Sequence, residues 1–466
     1  MSKISLTFDS LKQAYLDGAW TVEVLIRHLN EVIESRGEDS VWISHVAKET
    51  ILERARALDD LSVDEKSVLP LFGVPFSVKD CIDVAGLPTT SACPTYQYIA
   101  ERTNLAVQRA LDAGAILIGK TNMDQFATGV VGVRTPYGVA QNPFNADYIP
   151  GGSSSGAAVS VAAGLCAFAF GSDTGGSGRV PASYNNIIGL KPTLGLLSRT
   201  DMVNASVHFD TVSIYALTVC DAADVLRLSQ AVDDRDVYGR EAPIEVTVRK
   251  AQNLRIAIPS AKDLEFFGNE EAEGLFRQGV EALATLGHTM HEINFEKFVE
   301  TSQMMFEGPW LSERYAAVGG FIDTHPDDID PIVKTVIDSS KNYSASDAFN
   351  AIYQLDRNVR HIQRTFDHAD VIAVPTVGTV YRVDEVAADP LFTNATNGRY
   401  MNFVSMADLC AIAVPNGFTA NGIPMGITLV APAFSDFFLC DIAKEFHSLR
   451  VKTLGATEFP VQRETT

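Results

Sequence analysis

Two short segments carry serine among glycines, in the kind of loop that can bind an anion. The first is PGGSSSG, residues 150–156, and the second is GSDTGGSGRVP, residues 171–181. Glycine lacks the side chain that would block converging backbone N–H groups, so each loop can form an anion-binding concavity beside its serine. One such loop alone is commonly an ordinary turn. Two of them, with Ser153 and Ser177 24 residues apart, predict a paired serine site.

A lysine is the third residue that could take part in this chemistry. Lys79 follows the apolar run VPFSV and precedes Asp80. At an exposed strand end it would be a solvated charge. If it is buried, desolvation disfavours the ammonium and lowers its pKa, so the amine can serve as a base. The nine histidines show no obvious Ser–His–Asp order, which favours Lys79 as the base.

The segment GSSSG (152–156) has a second interpretation. It fits the G-x-S-x-G pattern of a nucleophile elbow, in which a strand runs directly into the serine turn. The preceding residues, QNPFNADYIP, contain two prolines and indicate a loop. The elbow is therefore the weaker of the two interpretations.

The surrounding sequence predicts the elements that position these loops. Within residues 8–60, apolar residues recur at helical spacing with charges between them, so the N-terminal part, about residues 1–65, is predicted to be helical. Beyond residue 70, short apolar runs such as GVPFSVKD (73–80) and AILIG (115–119) alternate with helical stretches. This alternation predicts an α/β fold with a mixed β-sheet covered by helices on both faces.

Composition and charge exclude several classes of protein. The net charge is −21, and such a field repels nucleic acid and anionic membranes, so neither is expected as a partner. The six cysteines form no CxxC pair, and the pair His288 and His291 has no third ligand nearby and is expected at the surface. We therefore expect no metal and no cofactor. The start lacks the pattern of a signal peptide, which favours a cytoplasmic enzyme.

The segments that carry the serines and the lysine resemble the amidase signature family. The relevant stretches are GVPFSVKD with Lys79, GGSSSG with Ser153 and DTGGSGR with Ser177, together with GAILIGKTNMDQFATG, GLKPT and NGIPMGITLVAP. The resemblance extends from about residue 20 to about residue 450. It implies one large amidase signature domain over residues 1–452, a frayed tail over 453–466 and no additional C-terminal domain.

The resemblance also implies a mechanism and a set of roles. Lys79, Ser153 and Ser177 would form the catalytic triad, in which neutral Lys79 accepts a proton from Ser153, and Ser153 accepts one from Ser177. Ser177 would then attack an amide carbonyl, and the backbone N–H groups of Thr174, Gly175, Gly176 and Ser177 would form the oxyanion hole. The family also has a cis peptide at the position of Gly152–Ser153. Asp173, Arg179, Ser154 and Ser155 would brace the loops.

Within the family, several stretches resemble allophanate hydrolases, which act on a urea that carries a carboxylate. They include DVAGLPTTSACP, QFATGVVGVRTPYG and EGPWLSERYAA. The resemblance implies that Arg314 binds the carboxylate, because an arginine can pair with it through two hydrogen bonds. Gly129 is a further expected substrate contact. The subgroup has a substrate-binding tyrosine eight residues before the arginine, where this chain has Phe306.

The alternatives concern the substrate and the class of protein. The missing hydroxyl at Phe306 leaves room for another small amide, for example a carboxybiuret-like compound. An ammonia-supplying amidotransferase subunit would depend on a partner protein, and a catalytically dead binding protein would have lost the triad. The leading expectation is a hydrolase that takes a small, carboxylated amide substrate and releases ammonia. By analogy with the family, a homodimer is expected.

Overall fold

The computed structural model describes residues 4–243 and 251–461. The strands, in chain order, are β1 (Trp42–His45), β2 (Pro75–Lys79), β3 (Pro88–Thr89), β4 (Tyr98–Ile99), β5 (Ile116–Thr121), β6 (Phe168–Asp173), β7 (Ile188–Lys191), β8 (Thr211–Ala216), β9 (Arg255–Pro259), β10 (Thr289–Ile293), β11 (Val371–Pro375), β12 (Leu409–Phe418) and β13 (Pro424–Pro432).

Helices occupy most of the sequence between these strands. The α-helices are α1 (Phe8–Leu16), α2 (Val22–Arg36), α3 (Lys48–Asp59), α4 (Val63–Ser67), α5 (Leu105–Asp112), α6 (Ser155–Ala162), α7 (Val180–Tyr184), α8 (Val219–Ser229), α9 (Glu270–Thr285), α10 (Glu296–Met304), α11 (Leu311–Thr324), α12 (Pro331–Asp338), α13 (Ala345–Thr365), α14 (Val383–Ala388), α15 (Phe392–Gly398), α16 (Asn402–Met406) and α17 (Asp436–Arg450). Single turns of 3-10 helix lie at 94–96, 125–127, 326–328 and 339–342.

One mixed sheet of eleven strands forms the centre of the described chain, with the order β1-β5-β2-β6-β8-β7-β12-β13-β11-β9-β10. Strand β2 pairs in parallel with β5 and β6. Beyond β6 in the sheet, the neighbouring pairs β6–β8, β8–β7, β7–β12 and β12–β13 are antiparallel. The residues of the inner strands are buried throughout, as expected for a sheet that helices cover on both faces. The predicted α/β architecture is confirmed.

The parallel strands β2, β5 and β6 determine where the site lies. Parallel strands end at the same edge of a sheet, so the residues that follow them meet there. Lys79 is the last residue of β2, and the segment from Asp173 to Arg179 follows β6 directly. Helix α6 leads from the first serine loop back to β6, so both serine loops come to this edge.

The structure differs from the sequence prediction at both ends of the chain. The N-terminal part predicted as helical also contains β1, which pairs antiparallel with β5 at one edge of the sheet. Of the segment predicted as a frayed tail, residues 453–461 pack on the core, with Leu454 buried and the N–H of Ala456 donating to the Ala162 carbonyl. Residues 462–466 lie outside the described part.

The helices also bear on whether the chain could cross a lipid bilayer. In residues 4–243 and 251–461, no helix combines the length and the apolar character that crossing a membrane requires. The longest, α13, has 21 residues and includes several charges, such as Asp347 and Arg364.

Candidate active site

Lys79 is buried at the carboxyl end of β2 and points to two serine hydroxyls. Its Nζ donates a hydrogen bond to Ser153 Oγ at 2.7 Å and another to Ser172 Oγ at 2.7 Å. No part of the lysine side chain is exposed, with a relative accessibility of 0%. The solvated surface lysine is therefore excluded, and the predicted contact between Lys79 and Ser153 is present.

Burial changes the acid–base properties of Lys79. Desolvation lowers the pKa of the Lys79 ammonium below its usual value, and the charges of Cys81 and of Asp124, Asp210 and Asp173 oppose this shift in part. Because its pKa is lowered, a larger fraction of Lys79 is in the neutral amine form near neutral pH than of an exposed lysine. A neutral amine with a hydroxyl at hydrogen-bonding distance can act as a general base.

The loop that carries Ser153 is held by hydrogen bonds on both sides. The Gly152–Ser153 peptide bond is cis, as the family resemblance implies. The Ser153 carbonyl accepts a hydrogen bond from the N–H of Asp124 at 3.0 Å. Ser154 Oγ donates to the Ser172 carbonyl and accepts from the Ser172 N–H, which ties this loop to β6. Ser155 Oγ donates to the Asn122 carbonyl at 3.3 Å.

The structure between Ala140 and Gly152 excludes a nucleophile elbow. No strand precedes Gly152 in this described stretch, and helix α6 begins at Ser155, two residues after Ser153. A nucleophile elbow requires a strand that enters the turn directly. The segment GSSSG is therefore a loop followed by a helix.

A buried ion pair organises the second serine loop. Arg179 Nε donates to Asp173 Oδ2 at 2.8 Å, and Arg179 Nη2 donates to Asp173 Oδ1 at 3.0 Å. Burial alone would raise the pKa of Asp173, but the paired guanidinium holds that pKa below its usual value. Asp173 also accepts from the N–H groups of Gly176 and Gly178, at 2.7 and 3.0 Å. One charged pair thus fixes the loop from its start to its end.

These contacts correct the prediction for Gly176. Its N–H donates to Asp173, so it is not available to a bound oxyanion. The N–H groups of Thr174, Gly175 and Ser177 make no hydrogen bond to another group within the described residues. These three are the donors that remain for a developing negative charge.

The glycines of this loop are required by close contacts as well as by conformation. Gly176 has φ +115°, which disfavours residues with a side chain. A β-carbon on Gly178 would lie 2.5 Å from Ser213 Cβ, and one on Gly175 would lie 2.5 Å from Met305 Sδ. The loop is packed too tightly on both sides for larger residues.

Ser177 lies at the end of this loop and is almost completely buried, at 3% exposure. Its carbonyl accepts a hydrogen bond from the Tyr215 hydroxyl at 2.5 Å. Among the described residues, no hydrogen bond joins the hydroxyls of Ser153 and Ser177. The structure therefore contains the contact from Lys79 to Ser153 but not the predicted contact from Ser153 to Ser177.

The structure brings Arg314 and Phe306 together. The guanidinium of Arg314 lies over the Phe306 ring at 4.9 Å from the ring centre. Nη1 of Arg314 donates to the Ala127 carbonyl and to Thr128 Oγ1, each at 3.3 Å. Desolvation lowers the pKa of Arg314 to about 10, so the buried side chain is still cationic at neutral pH. Gly129 directly follows Thr128.

Arg314 does not form a surface salt bridge among the described residues. Its neighbour Glu313 binds Ser206 and His208 instead, whereas Arg314 is 3% exposed. In the described chain, hydrogen bonds of its guanidinium involve Nη1, and none is made by Nε or Nη2. A planar cation with two free donors fits an incoming carboxylate.

Three residues of this network were missed by sequence reasoning. Ser172 is the second acceptor of Lys79, and Asp210 accepts from Thr174 Oγ1 at 2.5 Å. Asp124 accepts from the N–H groups of Val131, Gly132 and Arg134. Ser172 had a usable signal, because it stands at the end of a strand parallel to β2. Asp210 had none, since its partner is 36 residues away.

The prediction for His288 is wrong. This side chain is 6% exposed, and its Nδ1 accepts a hydrogen bond from the Leu254 N–H at 3.4 Å. His291 lies on strand β10. Within the described ranges, no group of three or more histidine, cysteine, aspartate or glutamate side chains is arranged to hold a metal ion.

Known proteins share this chain's sequence and fold. The profile of the Amidase family matches residues 27–440. The urea amidolyase of Saccharomyces cerevisiae is 41% identical over 427 residues, which cover 90% of this chain but 23% of that protein. The urea amidolyase of Lachancea kluyveri is 39% identical over 416 residues, which cover 89% of this chain and 22% of that protein.

Among solved structures, the allophanate hydrolase of Kluyveromyces lactis superposes with a TM-score of 0.92 and 37% sequence identity. The match covers 99% of this chain and 76% of that one. The chain thus spans about a quarter of the yeast urea amidolyases, and most of the solved hydrolase. With the profile covering most of its length, the chain belongs to the amidase family.

Proposed function

We propose that this chain hydrolyses the C–N bond of a small carboxylated urea, allophanate, and releases ammonia. The observation that carries the proposal is the buried Lys79 amine, which lies 2.7 Å from the Ser153 hydroxyl beside a glycine loop that ends in Ser177. A lysine in that position can be a base rather than a surface charge. The activity is that of a hydrolase acting on amide bonds, in keeping with the family.

The proposed reaction passes through an acyl-enzyme on Ser177. Ser177 Oγ attacks the ureido carbonyl carbon as its proton passes to Ser153 and the Ser153 proton passes to Lys79. The N–H groups of Thr174, Gly175 and Ser177 stabilise the oxyanion. The C–N bond then breaks, and the proton returns through Ser153 to the leaving nitrogen, which departs as ammonia. Water repeats the attack on the acyl group and frees Ser177.

The contact from Ser153 to Ser177 is the one step that requires a change from this structure. A rotation of a serine side chain about its single χ1 bond moves a hydroxyl between staggered positions. Catalytic hydrogen bonds are also often long in the absence of substrate and tighten in the complex. The proposed relay therefore forms when the substrate is bound.

The substrate assignment rests on Arg314 and on the relatives. Arg314 supplies a buried cation whose free donors can pair with the substrate carboxylate. The names of two relatives, a urea amidolyase and an allophanate hydrolase, support a urea carrying a carboxylate. Phe306 cannot donate the hydrogen bond of a tyrosine, but its ring lies 4.9 Å from the Arg314 guanidinium and makes a cation–π contact with it.

The remaining expectations belong to the same proposal. The enzyme acts in the cytoplasm on a small molecule, and its residues 1–452 form one functional unit. The buried thiols suit a reducing compartment, and they are Cys81, Cys93, Cys166, Cys410 and Cys440. A homodimer remains a prediction that light scattering of the purified chain would test.

The test is ammonia release by the purified chain from a panel of small amides. The panel comprises allophanate, biuret, a carboxybiuret-like compound, malonamate and acetamide. We expect allophanate to be turned over fastest and Ser177→Ala to abolish release. A chain that releases ammonia only when a partner protein is added would support the amidotransferase alternative. Faster turnover of the carboxybiuret-like compound would change the assigned substrate but not the mechanism.

The role of Arg314 has its own test within this panel. Arg314→Ala should lower kcat/KM for carboxylated substrates by about 100-fold or more, since it removes a charged, two-donor contact. Neutral amides should change far less. An equal loss on both kinds of substrate would mean that Arg314 is only structural. Arg240→Ala, which removes an arginine paired with Asp408 at the surface, is the matched control.

A further inference from the structure

The backbone carbonyl of Ser177 lacks the donor that the following helix would ordinarily give it. Helix α7 begins at Val180, and the N–H of Val180 donates to the Gly176 carbonyl, four residues earlier, at 2.8 Å. In the same pattern, the N–H of residue 181 would donate to the Ser177 carbonyl. Residue 181 is proline, which has no N–H. The carbonyl of the proposed nucleophile therefore has no donor from the first turn of this helix.

Tyr215 supplies the missing donor from a neighbouring strand. It lies on β8, which pairs antiparallel with β6, and its side chain is completely buried. Its hydroxyl donates to the Ser177 carbonyl at 2.5 Å. Burial raises the pKa of the Tyr215 hydroxyl well above its ordinary value, so this group stays protonated throughout the neutral range. The donor is therefore constant under the conditions in which the enzyme would be assayed.

The peptide that joins Ser177 to Gly178 is held at both of its polar groups. Tyr215 binds the carbonyl, and the Gly178 N–H donates to Asp173 Oδ2 at 3.0 Å. Because a peptide unit is planar, hydrogen bonds at both groups fix the orientation of the whole unit. The backbone from which the Ser177 side chain extends is thereby fixed as well.

The same tyrosine also contacts the first serine loop. The Ser154 hydroxyl is a further hydrogen-bonding neighbour of the Tyr215 hydroxyl, and Ser154 directly follows Ser153. The tyrosine ring lies against β6, where a β-carbon on Gly171 would be 2.8 Å from Tyr215 Cε2 and 2.9 Å from Ser154 Oγ. Tyr215 therefore lies between the two loops whose serine hydroxyls must meet in the proposed relay.

From these contacts we propose that Tyr215 is a positioning residue, which holds Ser177 through its carbonyl at the place where its hydroxyl can meet that of Ser153. The tyrosine hydroxyl touches no reacting atom in the proposed mechanism and transfers no proton. It acts by fixing the backbone of the nucleophile relative to the first serine loop. The proposal rests on the proposed function, since it names what holds the proposed nucleophile.

Tyr215→Phe tests this role, because it removes the hydroxyl and keeps the ring. We expect kcat for ammonia release from allophanate to fall about fivefold, the effect of one hydrogen bond, and KM to stay within about twofold. Tyr15→Phe is the matched control. The Tyr15 hydroxyl also donates to a carbonyl, that of Gly73, at 2.9 Å, but this contact precedes β2, whereas Lys79 ends it. Tyr15→Phe should leave both constants unchanged.

Pro181→Ala provides a second test, because it restores an N–H that can donate to the Ser177 carbonyl in place of Tyr215. In the Pro181→Ala background, Tyr215→Phe should lower kcat by less than about twofold, and comparison of the four proteins cancels what Pro181→Ala does alone. A melting curve on each protein shows whether it is folded. If Tyr215→Phe alone does not fold, the double variant carries the test and should retain at least about half of the kcat of Pro181→Ala.

Labelling of Ser177 gives a readout that does not depend on the substrate. A fluorophosphonate reacts with an activated serine, where the bond from Oγ to phosphorus forms as the P–F bond breaks and fluoride leaves. Mass spectrometry measures the rate at Ser177, and we expect Tyr215→Phe to lower this rate about fivefold. If the wild-type chain shows this labelling pattern but releases no ammonia from allophanate, the proposed substrate is wrong and the role of Tyr215 stands.

Three results would overturn the role of Tyr215. The first is a kcat or a labelling rate of folded Tyr215→Phe within about twofold of the wild type. The second is a KM that rises as much as kcat falls, which would indicate a general disturbance of the site. The third is an equal loss of kcat on Tyr215→Phe with proline and with alanine at position 181, since the Ser177 carbonyl would then not be the group that the hydroxyl serves.

Discussion

At the scale of single residues, the proposed chemistry depends on one amine and its surroundings. Lys79 occupies a fully buried position with two serine hydroxyls as its partners. In such a place the charged form pays a large desolvation cost, which three nearby carboxylates reduce only in part. The balance leaves the amine able to accept a proton, which an exposed lysine at neutral pH is not.

Lys79→Met tests whether the amine is needed. The methionine keeps most of the volume but cannot accept a proton, so we expect kcat on allophanate to fall by about 1,000-fold or more. The protein should remain folded, because an apolar side chain is easier to bury than an amine. Lys12→Met, on the surface of α1, is the control. A Lys79→Met enzyme with near-normal kcat would exclude the proposed base.

Ser172→Ala tests the second hydroxyl that binds Lys79. It removes one of the two acceptors of Nζ, worth about 1 kcal/mol, so we expect kcat to fall by roughly fivefold. KM should change little, since among the described residues the Ser172 hydroxyl contacts Lys79 and Cys81 and not the arginine proposed to bind the substrate carboxylate. Steady-state kinetics on allophanate measure both constants. An unchanged kcat would show that Ser153 alone positions the amine.

At the scale of elements, the edge where β2, β5 and β6 end gathers residues that are distant in sequence. The glycine loops and the strand before Lys79 could be recognised from the sequence because their composition is local. Asp210 could not, since only the fold brings it to Thr174. Strand β1 was not predicted because apolar and polar side chains alternate no more clearly in its four residues than in the helical sequence around them. Gly176 was misassigned because the family resemblance does not show that the Asp173 carboxylate, three residues earlier, accepts its N–H.

Arg179→Met tests how the second serine loop is held. It leaves the Asp173 carboxylate buried without its cation, and breaking such a pair costs about 3–5 kcal/mol of unfolding free energy. Urea denaturation measures this loss. Arg277→Met breaks the exposed helical pair with Glu273 and should cost only about 0–1 kcal/mol. Equal costs in both variants would mean that the Asp173 pair does not organise the loop.

At the scale of the whole molecule, the net charge affects how an anionic substrate approaches the site. The chain has a net charge of −21, so an anionic substrate approaches against the overall field. Buried Arg314 supplies a local positive charge within that negative field. The mixed sheet, the family of the chain and the sheet edge at which the serine loops meet could be predicted from the sequence. The packing of residues 453–461 could not, since their composition resembles that of an unpacked terminal segment.

The ionic strength of the solution should separate charged from neutral substrates. Salt screens the repulsion between the acidic surface and an anion, so kcat/KM for allophanate should rise about threefold between about 0.02 M and 0.2 M salt. For a neutral amide it should stay constant. A fall in kcat/KM for allophanate over the same range would indicate that an attractive local field dominates instead.

The most direct measurement is the pH dependence of kcat/KM for ammonia release from allophanate. The neutral amine is the active form, so activity is lost as pH falls through the pKa of Lys79 and is gained as pH rises. Because burial lowers that pKa, the rising limb should lie clearly below about 10.4, the value of an ordinary lysine. The limb should be absent from the residual activity of Lys79→Met. A limb at the ordinary lysine value, or the same limb in Lys79→Met, would contradict the account.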